Sequence, residues 1–280
     1  PYQCTFCNSP ATLKMYRDDH AGMFFRKKSM RHIENELNYL VKKWNAEYVY
    51  FLSDTFLSMS EEEFNEFIRI YNGIKLPFWM QTRPETLTQE RAYRLREVGC
   101  HRVSIGLEHG NEEFRRKILH KSYKNEQMLK VSEYFKYAGI PLSINNIIGF
   151  PDETRELIFD TIELNRQMHF DTTNAYAFTP FRGTFLYDYC LKKGYIEPDA
   201  IAGCLTKGTI VKMPQLPSED ILGLMKTFSL YAKMPKEYWD KIRIAEKPDE
   251  EGNKTFKELS DIYKREYFDK KNVEVEGEDL

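Results

Sequence analysis

Arg102-Val103-Ser104-Ile105-Gly106-Leu107-Glu108 is the stretch that decides the fold. Val103, Ile105 and Leu107 alternate with Ser104, Gly106 and Glu108, so a strand here has one apolar face and one small or polar face. The apolar set must lie under helices. The other set then faces the interior or mouth of a sheet, where Ser104 and Gly106 leave room and Glu108 ends the strand with a carboxylate. Comparable runs flank it at 48–52, 77–82, 142–148 and 172–178, all short and mostly rich in β-branched or aromatic residues. Amphipathic stretches separate them. Ile33, Leu37, Leu40, Val41 and Trp44 share one stripe over 31–44. Ser60-Glu61-Glu62-Glu63 is a capping box that opens a helix burying Phe64, Phe67, Ile68 and Tyr71. Thr88 caps a helix with Ala92, Leu95 and Val98, which Gly99 closes. Asn125 opens another, with Met128, Val131, Phe135 and Ala138, and 153–168 reads as a further helix.

This alternation predicts an α/β fold of parallel strands covered by helices. No G-x-G-x-x-G loop follows any strand, which places a barrel or partial barrel ahead of an open dinucleotide-binding sheet. Past Pro180 the rhythm fades. Residues 186–191 and 218–232 read as helices, the second with Ser218 as cap. Lys247-Pro248-Asp249-Glu250-Glu251-Gly252-Asn253 reads as a charged linker and 256–268 as one helix. The final ~10 residues have the composition of a flexible tail. The expected division is a barrel over 1–195, a mostly helical extension over 196–246, and linker, short helix and tail over 247–280.

Lys and Arg total 41 against 43 Asp and Glu in 280 residues, a net charge of −2, which argues against a nucleic-acid partner or a membrane-surface role. No apolar run approaches the ~20 residues of a membrane span. Pro1-Tyr2-Gln3-Cys4 lacks the features of a secretory signal and has no initiator Met, so the sequence reads as a segment of a longer protein. Five widely spaced cysteines suit a reducing, cytoplasmic setting without a disulfide framework.

Polar groups gather at one end of the expected strands. Asp54 follows the first, Gln81 and Arg83 end the second, Glu108 ends the third, Asn145 and Asn146 interrupt the fourth, and Ala175, Ala177 and Thr179 give the fifth a small face. C-terminal strand ends hold the site in parallel βα proteins, so the convergence predicts a ligand site at one mouth. A lone acid after a strand is as often a helix cap, and Arg83 before Pro84 reads equally as a surface arginine. Two adjacent mid-strand amides are harder to place, because buried amides need partners.

Cys4-Thr5-Phe6-Cys7 is a C-x-x-C pair with three readings: half a zinc site, a redox dithiol, or part of an iron–sulfur ligand set. There is no second C-x-x-C and no histidine pair at i, i+4, which argues against a complete zinc site. A C-x-x-C ahead of the βα repeats also lacks the thioredoxin context. Cys100, Cys190 and Cys204 read as packing residues.

With this pair in place, residues 1–195 resemble the core of radical S-adenosylmethionine (radical SAM) enzymes, in the branch that often carries an upstream cobalamin-binding domain. The family motif is C-x-x-x-C-x-x-C. Pro1-Tyr2-Gln3 matches its spacer and Cys4 and Cys7 its second and third cysteines, so the first is expected just before Pro1. Phe51 to Phe56, Arg83-Pro84-Glu85 and Gly99 to Gly110 are similar to the segments that follow or form the family's second to fourth strands. Ile147 to Thr154 resembles the G-x-I-x-G-x-x-E region, with Asn145 for the first Gly and Asp152 for the acid. Thr179 to Thr184 resembles the Pro-Gly-Thr segment, with Arg182 where Pro is common.

The resemblance implies a partial (β/α)6 barrel whose first strand precedes the cysteine loop. It implies a [4Fe–4S] cluster on Cys4, Cys7 and a third thiolate, with S-adenosylmethionine (SAM) on the open iron. Phe6 would offer a face to the adenine, Asp54 would accept from the amino group, Arg83 would neutralise the carboxylate and Glu108 would meet the ribose. Asn145, Ile148, Gly149 and Thr179 would complete the SAM site. Reductive cleavage of SAM to a 5′-deoxyadenosyl radical would then serve methylation or rearrangement of a small-molecule substrate. The electron would come from a donor such as flavodoxin or ferredoxin. An upstream cobalamin domain would make the reaction methyl transfer. Two rivals are a zinc-bridged, non-enzymatic scaffold and a metal-free aldolase-like barrel, the latter weakened by the lack of a strand-end lysine.

Overall fold

A computed structural model describes residues 2–201, 203 and 208–268. The readings for Cys204 and for the tail past 268 lie outside the described residues. In chain order the elements are α1 (Asn8–Asp18), α2 (Met30–Trp44), β1 (Val49–Phe51), α3 (Glu61–Ile74), β2 (Phe78–Thr82), α4 (Gln89–Glu97), β3 (Cys100–Glu108) and α5 (Glu112–Lys117). There follow α6 (Asn125–Ala138), β4 (Leu142–Ile148), α7 (Arg155–Gln167), β5 (Thr172–Ala177), α8 (Phe185–Lys193), α9 (Ser218–Lys233), α10 (Trp239–Ala245) and α11 (Glu250–Tyr263).

The five strands are all parallel, and each pairs with its neighbour in sequence, in the order β1-β2-β3-β4-β5. A doubly wound sheet would reverse its strand order part-way. This singly wound order is that of a barrel wall, as expected. Val103, Ile105 and Leu107 are wholly buried beside Phe78, Met80, Ile144 and Ile148 on the helix-covered side. Trp79, Gln81, Arg102, Gly106 and Asn145 are only half-buried on the concave side. The parity read from β3 therefore holds.

Four local expectations are corrected. Ala175 and Ala177 do not line the mouth. They are buried on the side where α9 packs on β5, with Ser229 Oγ donating to the Thr173 carbonyl at 2.6 Å. Small side chains let a helix approach, and Asn174 and Tyr176 take the exposed concave side of β5 instead. The helix expected from 153 starts at Arg155 behind a Thr154 cap, because the Glu153 carboxylate turns back onto the Gly149 and Phe150 amides. Ser218 lies inside α9 rather than at its cap, which is Pro217. Its hydroxyl donates to the Val211 carbonyl at 3.2 Å. The 247–253 linker is largely helix: Asp249 caps α11 by accepting from the Gly252 N–H at 2.7 Å. A Cβ at Gly252 would stand 2.2 Å from the Lys247 carbonyl oxygen, so glycine permits that close approach.

Candidate active site at the mouth of the half-barrel

The Cys4–Cys7 loop is strapped across the C-terminal strand ends. Thr5 donates from its N–H to the Leu119 carbonyl at 3.3 Å and from its hydroxyl to the Ile118 carbonyl at 2.6 Å, and it accepts from the Leu186 N–H at 3.2 Å. These bonds link the loop to the chain after α5 and to the first turn of α8. Cys4 is buried, and its sulfur accepts from Arg83 Nη1 at 3.2 Å. Cys7 caps α1, its sulfur accepting from the Ser9 N–H at 3.4 Å. Ser9 Oγ in turn donates to Asp54 Oδ2 at 3.3 Å.

Both sulfurs thus face donors, one a guanidinium and one a backbone N–H at the start of a helix. Arg83 also pairs with Glu85 at 2.6 Å and lies 3.8 Å from the centre of the Tyr2 ring. Burial opposes its charge, but Glu85 and Cys4 outweigh burial and hold its pKa above the ordinary arginine value. Soft sulfur donors with positive neighbours fit an iron–sulfur group. Among the described residues, no group of three or more His, Cys, Asp or Glu is placed to hold a metal.

Glu108 closes β3 with a left-handed φ of 64°, a strained conformation for a non-glycine residue. Its carboxylate folds over Gly106, where a Cβ would stand 2.2 Å from Oε1. Lys121, almost fully buried, fixes it from the other side, with Nζ 2.9 Å from Oε1 and donating to the Gly106 carbonyl at 2.9 Å. Burial alone would lower the Lys121 pKa, yet the facing Glu108 carboxylate holds it above the ordinary value. Tyr123 donates to the Leu107 carbonyl at 2.5 Å, and burial pushes its phenol up to about 12.

Beyond β4, Gly149 has φ 82° and its N–H donates to Glu153 Oε2 at 2.5 Å. Phe150 N–H donates to the same oxygen at 2.9 Å. The other oxygen of Glu153 lies 3.0 Å from His109 Nε2, out of line for a hydrogen bond. His109 Nδ1 accepts from the Asn111 N–H at 3.0 Å, which leaves the proton on the nitrogen facing Glu153. Glu153 is thus the acid that braces the turn after β4. Asp152 instead accepts from Tyr189 and, at 2.7 Å, from Tyr195.

Of the expected site residues, Cys4, Cys7, Asp54 and Arg83 meet through direct contacts or through Ser9. The Phe6 ring lies 5.8 Å from that of Phe150. Asn145 pairs in register with Gly106, beside Glu108. Thr179 is half-buried past β5, bonded to the Ala177 carbonyl at 3.4 Å. Ile148 departs from expectation. It is wholly buried on the helix side of β4, and Ile147 is the residue turned to the concave side. Lys121, Ser9, Glu85 and the His109–Glu153 contact were not anticipated, because each sits in a loop or helix end where no periodicity singles it out.

The family model described as the radical SAM superfamily matches residues 1–164, more than half of the chain. The chain belongs to the radical SAM superfamily. That family uses a [4Fe–4S] cluster and SAM. Among curated proteins, an uncharacterized methyltransferase of Pyrococcus horikoshii is 26% identical over 227 residues, covering 81% of this chain and 48% of that protein. The tRNA-2-methylthio-N(6)-dimethylallyladenosine synthase of Clostridium tetani is 25% identical over 197 residues, covering 66% and 41%. The chain thus spans less than half the length of these two relatives.

Among solved structures, the radical SAM methyltransferase TsrM of Kitasatospora setae, with cobalamin and a [4Fe–4S] cluster bound, superposes with a TM-score of 0.58 at 18% identity. That match covers 69% of this chain and 35% of TsrM. The cobalamin-dependent radical SAM enzyme OxsB gives a TM-score of 0.62 at 12% identity, over 94% of this radical SAM chain and 44% of OxsB. Both likenesses are of fold. Among the described residues, no helix is long and apolar enough to cross a membrane.

Proposed function

We propose that residues 1–195 form the SAM-cleaving barrel of a radical SAM methyltransferase acting on a small-molecule substrate. Cys4 and Cys7 are two of its three cluster thiolates, the third belonging to the position before Pro1. The observation that carries this reading is the contact of the Cys4 sulfur with Arg83 and the link from the Cys7 sulfur through Ser9 to Asp54, at the strand ends. When bound, the cluster and SAM supply one-electron cleavage of a sulfonium bond.

The chain's own residues bind and orient. Arg83 stays charged beside Cys4 and offsets negative charge on sulfur and on the methionine carboxylate. Asp54 accepts from the ammonium, and Glu108, held by Lys121, accepts from the ribose hydroxyls. Phe6, backed by Phe150, offers an apolar face to the adenine and keeps water from it. Asn145 and the Gly149 turn border the same space, and Thr179 closes its far side. A reduced flavodoxin or ferredoxin supplies the electron in a cytoplasmic setting. The helices after residue 195 buttress β5 through α9.

A cobalamin-dependent course is favoured as the second reading by the methyltransferase relative together with the cobalamin named for TsrM and OxsB. The test is anaerobic reconstitution of the full-length protein, followed by iron analysis and reductive SAM cleavage. About four irons per chain and SAM-dependent turnover support the proposal. One zinc per two chains, without sulfide, would replace it with the zinc-bridged scaffold. Cobalamin dependence of methyl transfer separates the two courses.

A further inference from the structure

Below the mouth, the concave face carries a cation that no carboxylate neutralises. Arg102 stands on β3 on the same face as Ser104 and Gly106. Its Nη1 donates to Ser143 Oγ at 3.2 Å and Thr172 Oγ1 at 3.5 Å. Those two hydroxyls, on adjacent strands, lie 2.7 Å apart. Among the described residues no carboxylate oxygen comes within 4.0 Å of Arg102, whereas Arg83, higher on the same side, is paired with Glu85.

A planar shelf flanks the guanidinium. The Trp79 ring centre is 5.9 Å from its carbon, and Trp79 is fixed by its own Nε1–H to Ser104 Oγ at 2.9 Å. The Tyr50 ring lies 4.8 Å from that of Trp79 at a tilt of 31°. Tyr50 is exposed, and Arg102 and Trp79 are half-buried, so shelf and cation are open to the interior. A partly desolvated guanidinium without a counter-ion is costly, and its fork with two neighbouring hydroxyls matches a carboxylate. At about 3.3 Å per residue, Arg102 lies about 13 Å along β3 from Gly106. A molecule anchored there extends along the concave face toward the mouth.

We infer that Arg102, Ser143 and Thr172, with Trp79 and Tyr50 beside them, form a substrate subsite for a carboxylate carried on a planar apolar body. Calling that ligand the substrate rests on the function proposed above; the binding itself does not. The test is calorimetric titration of the full chain with 3-phenylpropionate and with its uncharged amide. The acid should bind saturably and the amide at least tenfold more weakly. Arg102→Gln should abolish that preference, and Ser143→Ala should weaken acid binding several-fold. Equal binding of acid and amide, no saturable binding of either, or unchanged acid affinity in Arg102→Gln would overturn the inference. If Arg102→Gln does not fold, the acid–amide comparison in the unaltered protein and Ser143→Ala decide. SAM cleavage without acid binding would sink only this subsite, and acid binding without SAM cleavage would sink only the radical SAM function.

Discussion

Asn145 and Asn146 are neighbours on β4 that serve opposite sides of the sheet. Asn146 is wholly buried under α7 and fully engaged. It donates to Thr173 Oγ1 at 3.0 Å and to the Asn174 carbonyl at 2.8 Å, and it accepts from Asn165 Nδ2 at 2.9 Å. Thr173 closes the ring onto Asn165 Oδ1 at 2.8 Å. Asn145 is half-buried on the concave side, beside Gly106 and Glu108. A saturated amide in the core stabilises, whereas a free one at a mouth is available to a ligand. The same chemistry in adjacent positions therefore splits into structure on one face and function on the other.

The sharpest way to break this division is at the mouth. Cys4→Ala should abolish cluster incorporation while leaving the circular dichroism spectrum unchanged; iron analysis reads it. On the other face, Asn146→Ala should remove one buried hydrogen bond each from Asn165, Thr173 and the Asn174 carbonyl and cost about 2–4 kcal/mol in urea denaturation, with SAM affinity of the surviving fold unchanged. A loss of SAM affinity there would blur the two faces.

Glu108→Gln should weaken SAM binding about tenfold, an effect of about 1.4 kcal/mol, with the fold retained. Gly106→Ala should act in the same direction, since its Cβ displaces the Glu108 carboxylate. Unchanged affinity in both would remove Glu108 from the site.

The Lys121–Glu108 pair also predicts an alkaline effect. The native Lys121 pKa is raised, so its contribution to stability is complete below the ordinary lysine value of about 10.4 and is lost as pH rises through the raised value. Denaturation followed against pH should show that alkaline loss removed in Glu108→Gln, where only burial, which lowers the Lys121 pKa, remains. The smallest effect is expected for Asn145→Ala, within about 0.5 kcal/mol in stability, with only a few-fold loss of SAM affinity.

Much of this division was legible in the sequence because a strand's two-residue period reports its faces directly. The 142–148 run matches β4 residue for residue, and the β3 parity correctly separated Val103, Ile105 and Leu107 from Ser104, Gly106 and Glu108. Periodicity failed where tertiary contacts set the local role. The alanines of β5 are small for the sake of α9, and Asp249 turns an apparent linker into a helix start. Helix α1 has no buried residue and therefore no stripe to read. Ile148 was misplaced by one residue, which in a strand is a change of face. Lys121 left no sequence signal because its partner lies 13 positions away and is brought to it only by the fold.

The central claim is that the concave mouth, with Cys4 and Cys7, is where SAM meets a cluster. The most direct measurement is the electron paramagnetic resonance spectrum of the reduced, reconstituted full-length protein, with and without SAM. The account predicts a [4Fe–4S] signal that shifts when SAM is added and is absent in Cys7→Ala. A protein that takes up no cluster, or a cluster signal indifferent to SAM or intact in Cys7→Ala, would contradict it.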